Sequence, residues 1–235
     1  MSTFQFKQFT IQQNQSAMKV GTDSIVLGSW IALADENSLL DIGTGTGILA
    51  MMLAQRSAAQ TIDAVEISAI AFEEAVNNFE NSPWADRLFC YHSSIQDFSK
   101  EIDDPYDLIV ANPPYFEPSN FTDDSHRGIA RQTFELSHLE LLQVTNKLLG
   151  ENGTAAFVIP YEIETYFLKL ARGLSLFPFR ILHTKDTEKS DYKRSFIQFK
   201  KQLTTCEIDS LVLKNIDKSY SDAFIALTKE FYKDF

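Results

Sequence analysis

Seven residues in the first quarter of the chain read Asp41-Ile42-Gly43-Thr44-Gly45-Thr46-Gly47. They end a short apolar run, residues 38–42, and precede an Ala-, Leu- and Met-rich stretch, residues 48–59. The apolar run predicts a strand, and the second stretch has the composition of a helix. Glycines between a strand and a helix let the backbone approach a ligand, and the helix start offers free N–H groups. The heptapeptide therefore predicts the first βα unit of a cofactor-binding α/β fold.

The rest of the chain continues this alternation of strands and helices. Strand patterns cover residues 61–65, 87–91, 106–111, 155–159, 179–183 and 195–200, and helical patterns cover residues 68–80, 137–149, 162–174 and 220–235. Strands that alternate with helices indicate parallel βαβ units. We predict one Rossmann-like, doubly wound α/β domain over residues 1–235, with a mostly parallel seven-stranded sheet. Ligands are expected at the carboxyl ends of its strands.

The composition is that of a globular protein. Of the 235 residues, 44% are hydrophobic and 23% are charged, which excludes a disordered chain or a coiled coil. Cys90 and Cys206 have no metal-ligand spacing, so we expect no metal site and a reducing, cytoplasmic location. The amino-terminal residues lack an export signal, and no run approaches the ~18 apolar residues of a membrane span. We expect a monomer that contacts no membrane.

The charge is unevenly distributed along the chain. A net charge of −11 argues against broad affinity for nucleic acid. Residues 166–202 hold nine basic and three acidic side chains, a net of +6 that leaves −17 for the remainder. This segment predicts a basic face that binds a folded RNA selectively, with Lys193 and Arg194 as candidate contacts. Arg127 and Arg131, in a polar loop after the fourth strand, are further candidates for RNA phosphates. A solvated surface is the alternative for all four.

Acidic residues near the strand ends bear on the identity of the cofactor. The glycine turn alone also fits the G-x-G-x-x-A fingerprint of dinucleotide sites. Asp41 favours S-adenosylmethionine, because a carboxylate attracts its cationic amino-acid end and repels a pyrophosphate. Glu66, at the end of the second strand, offers acceptors to both ribose hydroxyls, a role it would equally play for NAD. Asp97, after the third strand, is a candidate acceptor for the adenine amine, or else a helix-capping residue.

A rigid tetrapeptide, Asn112-Pro113-Pro114-Tyr115, follows the fourth strand. Two prolines restrict the backbone, so the side-chain and carbonyl directions are set before substrate arrives. The Asn112 side-chain oxygen and the Pro113 carbonyl can each accept one N–H of an amine and turn its lone pair toward a methyl donor. Tyr115 can stack on a planar base. Asn112, Pro113 and Tyr115 are thus the predicted catalytic residues.

In this order of motifs the chain resembles the class I S-adenosylmethionine-dependent methyltransferases whose N-P-P-Y motif acts on an exocyclic or amide nitrogen. Asp41, Gly43, Gly45, Gly47, Glu66, Asp97 and Asn112 match that family's cofactor positions. Short segments are similar, more closely, to the bacterial tRNA adenine-N6 methyltransferases that act on valine tRNA. These segments are Phe4-x-Phe6-Lys7-x-Phe9-x-Ile11, Met18-Lys19-Val20-Gly21-Thr22-Asp23, Ala130-Arg131, Leu136-Ser137-His138 and Phe231-Tyr232.

The closer resemblance has consequences for the amino terminus and for the substrate. It implies that residues 1–34 cap the cofactor and substrate, with Lys19, Thr22 and Asp23 near the methionine end of the cofactor. It also implies, as partner, a tRNA anticodon stem-loop and, as target, the adenosine at position 37, immediately 3′ of the anticodon.

Other functions remain open from the sequence. The same tetrapeptide orients a glutamine amide in protein N5-methyltransferases, although those enzymes usually carry a helical domain ahead of the glycine turn. Other N-P-P-Y amino-methyltransferases of RNA or DNA are also compatible. A noncatalytic cofactor- or RNA-binding module would retain the glycine turn. An NAD-dependent oxidoreductase would need a hydride-transfer constellation, which the sequence does not display.

Overall fold

The computed structural model describes residues 2–14, 19–113 and 136–235. The strands are β1 Thr3–Gln5, β2 Thr10–Gln12, β3 Ser38–Ile42, β4 Thr61–Glu66, β5 Leu88–His92, β6 Tyr106–Ala111, β7 Leu149–Pro160, β8 Phe177–Lys185, β9 Arg194–Lys200 and β10 Glu207–Val212. The helices are α1 Thr22–Trp30, α2 Ile48–Arg56, α3 Ala69–Glu80, α4 Ile95–Glu101, α5 His138–Leu148, α6 Glu164–Gly173 and α7 Asp222–Thr228, with a short 3₁₀ turn at Tyr161–Ile163.

The strands form a hairpin and one large sheet. The β1–β2 hairpin is antiparallel. The sheet has the order β10-β8-β9-β7-β6-β3-β4-β5. All its neighbours pair in parallel except those of β9, which runs opposite to β7 and β8. This arrangement confirms the predicted doubly wound, mostly parallel α/β domain. Within the described residues the sheet has eight strands rather than the predicted seven, because β10 adds to β8 at the edge.

The two faces of the sheet are covered by different helices. Successive side chains of a strand point to opposite faces. Leu39 therefore joins one buried cluster and Leu40 the other. The first cluster contains apolar side chains of α1, α2, α3 and α7, and the second contains those of α4, α5 and α6. Burial on both faces explains why the central strands are continuous apolar runs rather than alternating ones.

The amino-terminal hairpin is held by the end of the chain. Phe6, Phe9 and Ile11 are buried, which supports packing rather than base stacking as their use. Phe6 forms an antiparallel bridge with Tyr232, and the N–H of Lys7 donates to the Phe231 carbonyl. The predicted helix over residues 220–235 is wrong beyond α7, because these last residues pair with the hairpin backbone instead of continuing a helix.

Serine side chains begin four of the helices. Ser68, Ser94, Ser137 and Ser221 each accept a hydrogen bond from a backbone N–H of the first turn. Such caps satisfy N–H groups that have no partner within the helix. At α5 the predicted start is confirmed, and Glu140 returns a bond to complete a capping box.

The segment after α5 differs from its prediction. The helix predicted over residues 137–149 ends at Leu148, and Gly150 and Gly153 lie inside β7, which begins at Leu149. A Cβ on Gly153 would lie 2.9 Å from the Tyr106 carbonyl oxygen. Here glycine therefore permits two strand backbones to approach closely beside a register shift, and the helix stops where the strand pairing starts.

Candidate active site

The predicted strand-end residues meet at one edge of the sheet. Parallel pairing sets Ile42 of β3 opposite Val65 of β4 and Ala111 of β6. The glycine turn, Glu66 and Asn112 therefore emerge side by side at the carboxyl edge, where doubly wound sheets bind their ligands. As predicted from the sequence, the strand ahead of Asn112 ends beside the glycine turn.

The glycine turn has a backbone that other residues rarely adopt. Gly43, Gly45 and Gly47 have φ values of 69°, 59° and 83°. A Cβ on Gly43 or Gly45 would enter open space, whereas one on Gly47 would lie 2.4 Å from the Phe79 ring. Gly47 is thus needed for packing against α3, and the first two glycines leave an open side that a ligand can approach.

Asp41 lies beneath this turn with only 1% of its surface exposed. Its Oδ2 accepts hydrogen bonds from the Thr44 hydroxyl at 2.6 Å and from the Ala50 N–H at 3.2 Å. Its Oδ1 is buried without a hydrogen-bond partner among the described residues. Burial raises the pKa of Asp41 to about 7. Instead of facing a ligand directly, as the sequence prediction had it, the carboxylate ties the turn to α2.

Glu66 is the carboxylate on the neighbouring strand end, and it is 8% exposed. Its Oε2 accepts from the N–H of Gly45 and its Oε1 from the N–H of Ser68, both at 2.9 Å. These two bonds fix the carboxylate beside the glycine turn. Because a carboxylate has about four acceptor positions, Glu66 retains capacity for the hydroxyls of a ribose.

The Asn112 side chain is oriented by α1. Its Nδ2 donates a 2.8 Å hydrogen bond to the hydroxyl of Ser24. The other amide atom, Oδ1, is then the acceptor that the predicted clamp requires. Pro113 follows as a buried residue. The predicted catalytic residue Tyr115 lies outside the described residues.

The start of α1 lies at the same edge of the sheet. Asp23, in the first helical turn, forms a 2.9 Å ion pair with Arg194, the first residue of β9. Thr22 begins the helix, and Lys19 is exposed just ahead of it. The structure therefore brings the predicted cofactor residue Asp23 into contact with the predicted RNA residue Arg194.

Asp97 is not the N-cap of its helix, because Ser94 has that role. It stands in the first turn of α4, where its N–H and Oδ2 both bond the Ser94 side chain. Its Oδ1 forms a 2.7 Å ion pair with Lys100 on the surface. These hydrogen bonds lower the pKa of Asp97, the one to Lys100 most. Asp97 thus lies near the end of β5 but is engaged within its own helix.

The basic residues of segment 166–202 do not all lie on one face. Strand β9 crosses the whole sheet, pairing Arg194 with Pro160 at one end and Lys200 with Thr154 at the other. Basic residues of the segment therefore separate to opposite edges. Exposed Lys193 stays with Arg194 at the carboxyl edge. The candidates Arg127 and Arg131 lie outside the described residues.

Two polar residues that the sequence analysis missed help to build the site. Ser24, which orients Asn112, is one. The other is Asn78, 1% exposed, which exchanges hydrogen bonds with the Gln12 backbone and donates to the Thr46 carbonyl. It joins the hairpin to the glycine turn. Asn78 precedes Phe79 on the apolar face of a predicted helix. A polar residue at such a position indicates a buried hydrogen bond to another element.

The arrangement fits S-adenosylmethionine better than a dinucleotide. Glu66 is bonded to the N–H of Gly45 beside the open side of the glycine turn, and the buried, unpartnered Asp41 Oδ1 beneath the turn favours a nearby positive charge over a pyrophosphate. Within the described ranges no cluster of His, Cys, Asp or Glu is suited to a metal ion. In the same ranges every helix is too short or too polar to cross a membrane.

Comparison with known proteins agrees with this geometry. The methyltransferase small domain family matches residues 13–164. A predicted O-methyltransferase from Agrobacterium tumefaciens superposes with a TM-score of 0.71 at 15% identity, covering 89% of this chain and 96% of that one. A putative RNA methyltransferase from Pyrococcus horikoshii gives 0.57 at 15% identity, covering 84% and 92%. These likenesses show the fold. The chain belongs to the methyltransferase small domain family, and its cofactor is S-adenosyl-L-methionine.

Curated relatives define the narrower group. A protein from Flavobacterium psychrophilum, named tRNA1(Val) (adenine(37)-N6)-methyltransferase, is 46% identical to this chain over 97% of this chain and 98% of the relative. The protein of that name in Haemophilus influenzae is 42% identical over the full length of both chains. Within the larger family, this chain therefore belongs with the bacterial proteins of that name.

Proposed function

We propose that this protein transfers a methyl group from S-adenosylmethionine to the N6 amine of adenosine 37 in tRNA1(Val). The observation that carries the proposal is similarity to relatives of that name across 97% of the chain. The site agrees with it, because Asn112, a suitable acceptor for an amine, is held beside a glycine turn and two carboxylates. The substrate class also makes the cytoplasm the proposed location, with the enzyme acting as a monomer.

Asn112 and Pro113 are the proposed catalytic pair. The amine on adenine C6 is a poor nucleophile, since its lone pair is delocalised into the ring. Asn112 Oδ1 and the Pro113 carbonyl oxygen each accept one N–H, which directs the lone pair out of the ring plane and stabilises developing positive charge. When bound, the cofactor supplies an electrophilic methyl group on a sulfonium. Tyr115 completes the proposed clamp by stacking on the extruded base.

In this proposal, residues at the carboxyl ends of β3, β4 and β5 hold the cofactor. The backbone of Gly43, Gly45 and Gly47 lies along it, and Glu66 accepts from the ribose hydroxyls. Asp41 acts through the turn that it holds, as a positioning residue whose charge also favours a cationic ligand. Asp97 remains a candidate for the adenine amine, in addition to its bonds with Ser94 and Lys100.

Residues 1–34 are the proposed cap over the cofactor and substrate. The hairpin bonds the glycine turn through Asn78, and the N–H of Val20 donates to the Gln13 side chain at 2.7 Å. The segment that carries Lys19, Thr22 and Asp23 is therefore connected to the hairpin and, through it, to the glycine turn. We propose that these three residues lie at the methionine end of the cofactor.

A tRNA anticodon stem-loop is the proposed partner. Lys193 and Arg194 lie at the edge that carries Asn112, and Arg127 and Arg131 belong to the segment that follows the clamp. All four are proposed phosphate contacts, which fix the register of an RNA without reading its sequence.

Replacing Lys193 by Glu should reduce the salt dependence of tRNA binding, while the affinity for the cofactor stays the same.

The test uses methyl-labelled cofactor with separate pools of tRNA, ribosomal RNA, DNA and protein, followed by nucleoside analysis. We expect N6-methyladenosine in tRNA1(Val) and no label when adenosine 37 is replaced by guanosine. Asn112→Ala should bind cofactor normally and lose roughly 100-fold in kcat, as expected for one preorganised contact in a transition state. Label in protein alone would transfer the clamp to a glutamine amide and overturn the proposal.

A further inference from the structure

Three aromatic side chains form a cluster beside the candidate active site. Tyr161 meets His183 edge-on, with ring centroids 4.9 Å apart and planes at 89°. Tyr192 lies 5.2 Å from Tyr161 and 5.3 Å from His183. We call Tyr161, His183 and Tyr192 the aromatic cluster. Neither the clamp nor the cofactor site uses it.

The cluster is built on a single row of paired backbone. Arg194 of β9 lies opposite Pro160 of β7 on one side and Thr184 of β8 on the other. One residue further out, the N–H of Tyr161 donates to the Lys193 carbonyl, and the N–H of Lys193 donates to Thr184. Tyr161 and His183 are therefore attached to hydrogen-bonded backbone at this edge of the sheet, and Tyr192 lies in the connection between β8 and β9, two residues before Arg194.

Side-chain contacts also fix the orientation of the cluster. His183 Nε2 lies 2.6 Å from Glu164 Oε2, and both side chains are largely buried. The ammonium of Lys185 lies 5.8 Å from the Tyr192 ring centroid. Tyr161 nevertheless remains 39% exposed. A ring that is held from one side and exposed on another has little conformational entropy left to lose when a planar group stacks on it.

The cluster lies at the same edge as Asn112. Phe157 of β7 pairs with Ala111, the residue before Asn112, and Tyr161 follows Phe157 by four residues. Tyr161 lies three residues further out along the strand direction than Asn112, so with about 3.3 Å per strand residue and about 4.8 Å between strands the two backbone positions are about 11 Å apart. That distance equals about three base rises of 3.4 Å, so one RNA segment can reach both places, with the second base within about three nucleotides of the target.

We propose that Tyr161, held by His183 and Tyr192, stacks with an unpaired nucleobase that flanks the target adenosine. This inference rests on the proposed function. Aromatic rings at the protein surface bind single-stranded RNA by base stacking, because every base has a π-face. Exposed Lys193 lies on the same row and is placed to contact a neighbouring phosphate. The cluster thus holds the loop nucleotides on one side while the clamp takes the target base.

The test compares two substitutions of one residue in the full-length enzyme. Tyr161→Leu removes the π-face, and Tyr161→Phe keeps it. With an anticodon stem-loop RNA as probe, we expect Tyr161→Leu to raise Kd and KM about tenfold and Tyr161→Phe to remain within about twofold. Cofactor affinity should be unchanged in both. Tyr166→Leu, at a 56% exposed tyrosine outside the cluster, is the matched control and should bind the RNA normally.

A scan of abasic nucleotides identifies the stacked base. Wild-type enzyme should lose about tenfold in affinity at one flanking position, and Tyr161→Leu should be insensitive to the base at that same position. Equal sensitivity in both enzymes, or equal losses in the Leu and Phe variants, would overturn the stacking role. If wild-type enzyme methylates tRNA and Tyr161→Leu binds it equally well, only this inference fails. If wild-type enzyme methylates no tRNA, the proposed function fails with it.

Discussion

The hydroxyl of Ser24 binds one end of the Asn112 amide and thereby determines which amide atom is the acceptor in the proposed clamp. Because Nδ2 donates to this hydroxyl, the acceptor Oδ1 takes the direction that an amine clamp needs. Asp41 has a comparable role under the glycine turn, where its two hydrogen bonds hold the backbone that we propose as the cofactor contact. Both residues act through others, and they can be tested by measurements other than loss of activity.

Ser24→Ala should lower kcat about tenfold, because the Asn112 amide loses its orientation, and should leave cofactor affinity and the KM for tRNA nearly unchanged. Ser24→Thr keeps the hydroxyl and should recover most of the lost kcat. The matched control is Ser29→Ala on the same helix, where the hydroxyl is buried without a hydrogen-bond partner among the described residues. A rise in KM with constant kcat in Ser24→Ala would refute the positioning role.

Asp41→Asn should change how stability depends on pH. Burial raises the pKa of Asp41 to about 7, so the folded state retains its proton while the unfolded chain releases it. Wild-type stability should therefore decrease from about pH 4 to pH 7, and the amide should not show this loss. The upper bound is about 4 kcal/mol, from 1.36 kcal/mol for each pH unit.

Urea unfolding of the cofactor-free proteins between pH 4 and pH 8 measures this difference. Asn keeps an acceptor for Thr44 and Ala50, so the turn should stay folded. Asp35→Asn, at an exposed position, is the control and should follow wild-type at every pH. A gap between Asp41→Asn and wild-type that is constant with pH would contradict the burial argument.

The glycine turn and α3 show how one element depends on another. Gly47 is the N-cap of α2 with φ 83°, and its missing Cβ leaves the space that the Phe79 ring occupies. Asn78, the residue before Phe79, bonds the carbonyl of Thr46. Helix α3 therefore supports the glycine turn through Phe79 and Asn78, although its own sequence contains no cofactor motif.

Gly47→Ala should destabilise the fold by about 2 kcal/mol or more, because the left-handed backbone is strained and the ring must move. Cofactor affinity should fall with it. Gly43→Ala has the same backbone strain but open space around its Cβ, so it should cost less. Gly173→Ala, at the end of α6 with nothing within 4 Å, is the control. Thermal unfolding and a cofactor titration test the order, and equal losses at Gly47 and Gly43 would exclude the Phe79 contact.

Residues near the amino terminus contact residues near the carboxyl terminus. Phe6 of the amino-terminal segment packs edge-on against Phe231, with centroids 6.4 Å apart, and the backbone of Lys7 bonds Phe231. Because Asn78 also links the hairpin to the glycine turn, the end of the chain supports the proposed cap through the hairpin.

Phe231→Ala should cost about 3 kcal/mol in free energy of unfolding, since the ring is 1% exposed and its loss leaves a cavity. The hairpin should then open more often. Limited proteolysis read by mass spectrometry should show faster cleavage near the amino terminus. Phe89→Ala, at a 43% exposed ring on β5, should cost less than about 1 kcal/mol. Unchanged cleavage in a destabilised Phe231→Ala variant would show that the two ends are not coupled.

Local patterns in the sequence were sufficient for the fold class and for much of the site. Apolar runs identified the buried central strands, and the helical patterns that begin at residues 68 and 137 start within one residue of α3 and α5. The positions of the glycine turn, Glu66 and Asn112 at one edge followed from the rule that parallel strands end together. These features depend on neighbours in sequence or on a general property of parallel sheets, so one chain is enough to predict them.

Tertiary pairing determined what the sequence analysis missed or misplaced. Strand β10, the short α7 and the split of the basic residues all depend on which distant backbone each segment meets, as when β9 carries Arg194 and Lys200 to opposite edges. The orientation of Asn112 by Ser24 and the burial of Asp41 are contacts between different elements. Hydrogen bonds across the fold are not encoded by spacing, because they arise only when packed elements exclude water and polar groups must find partners nearby.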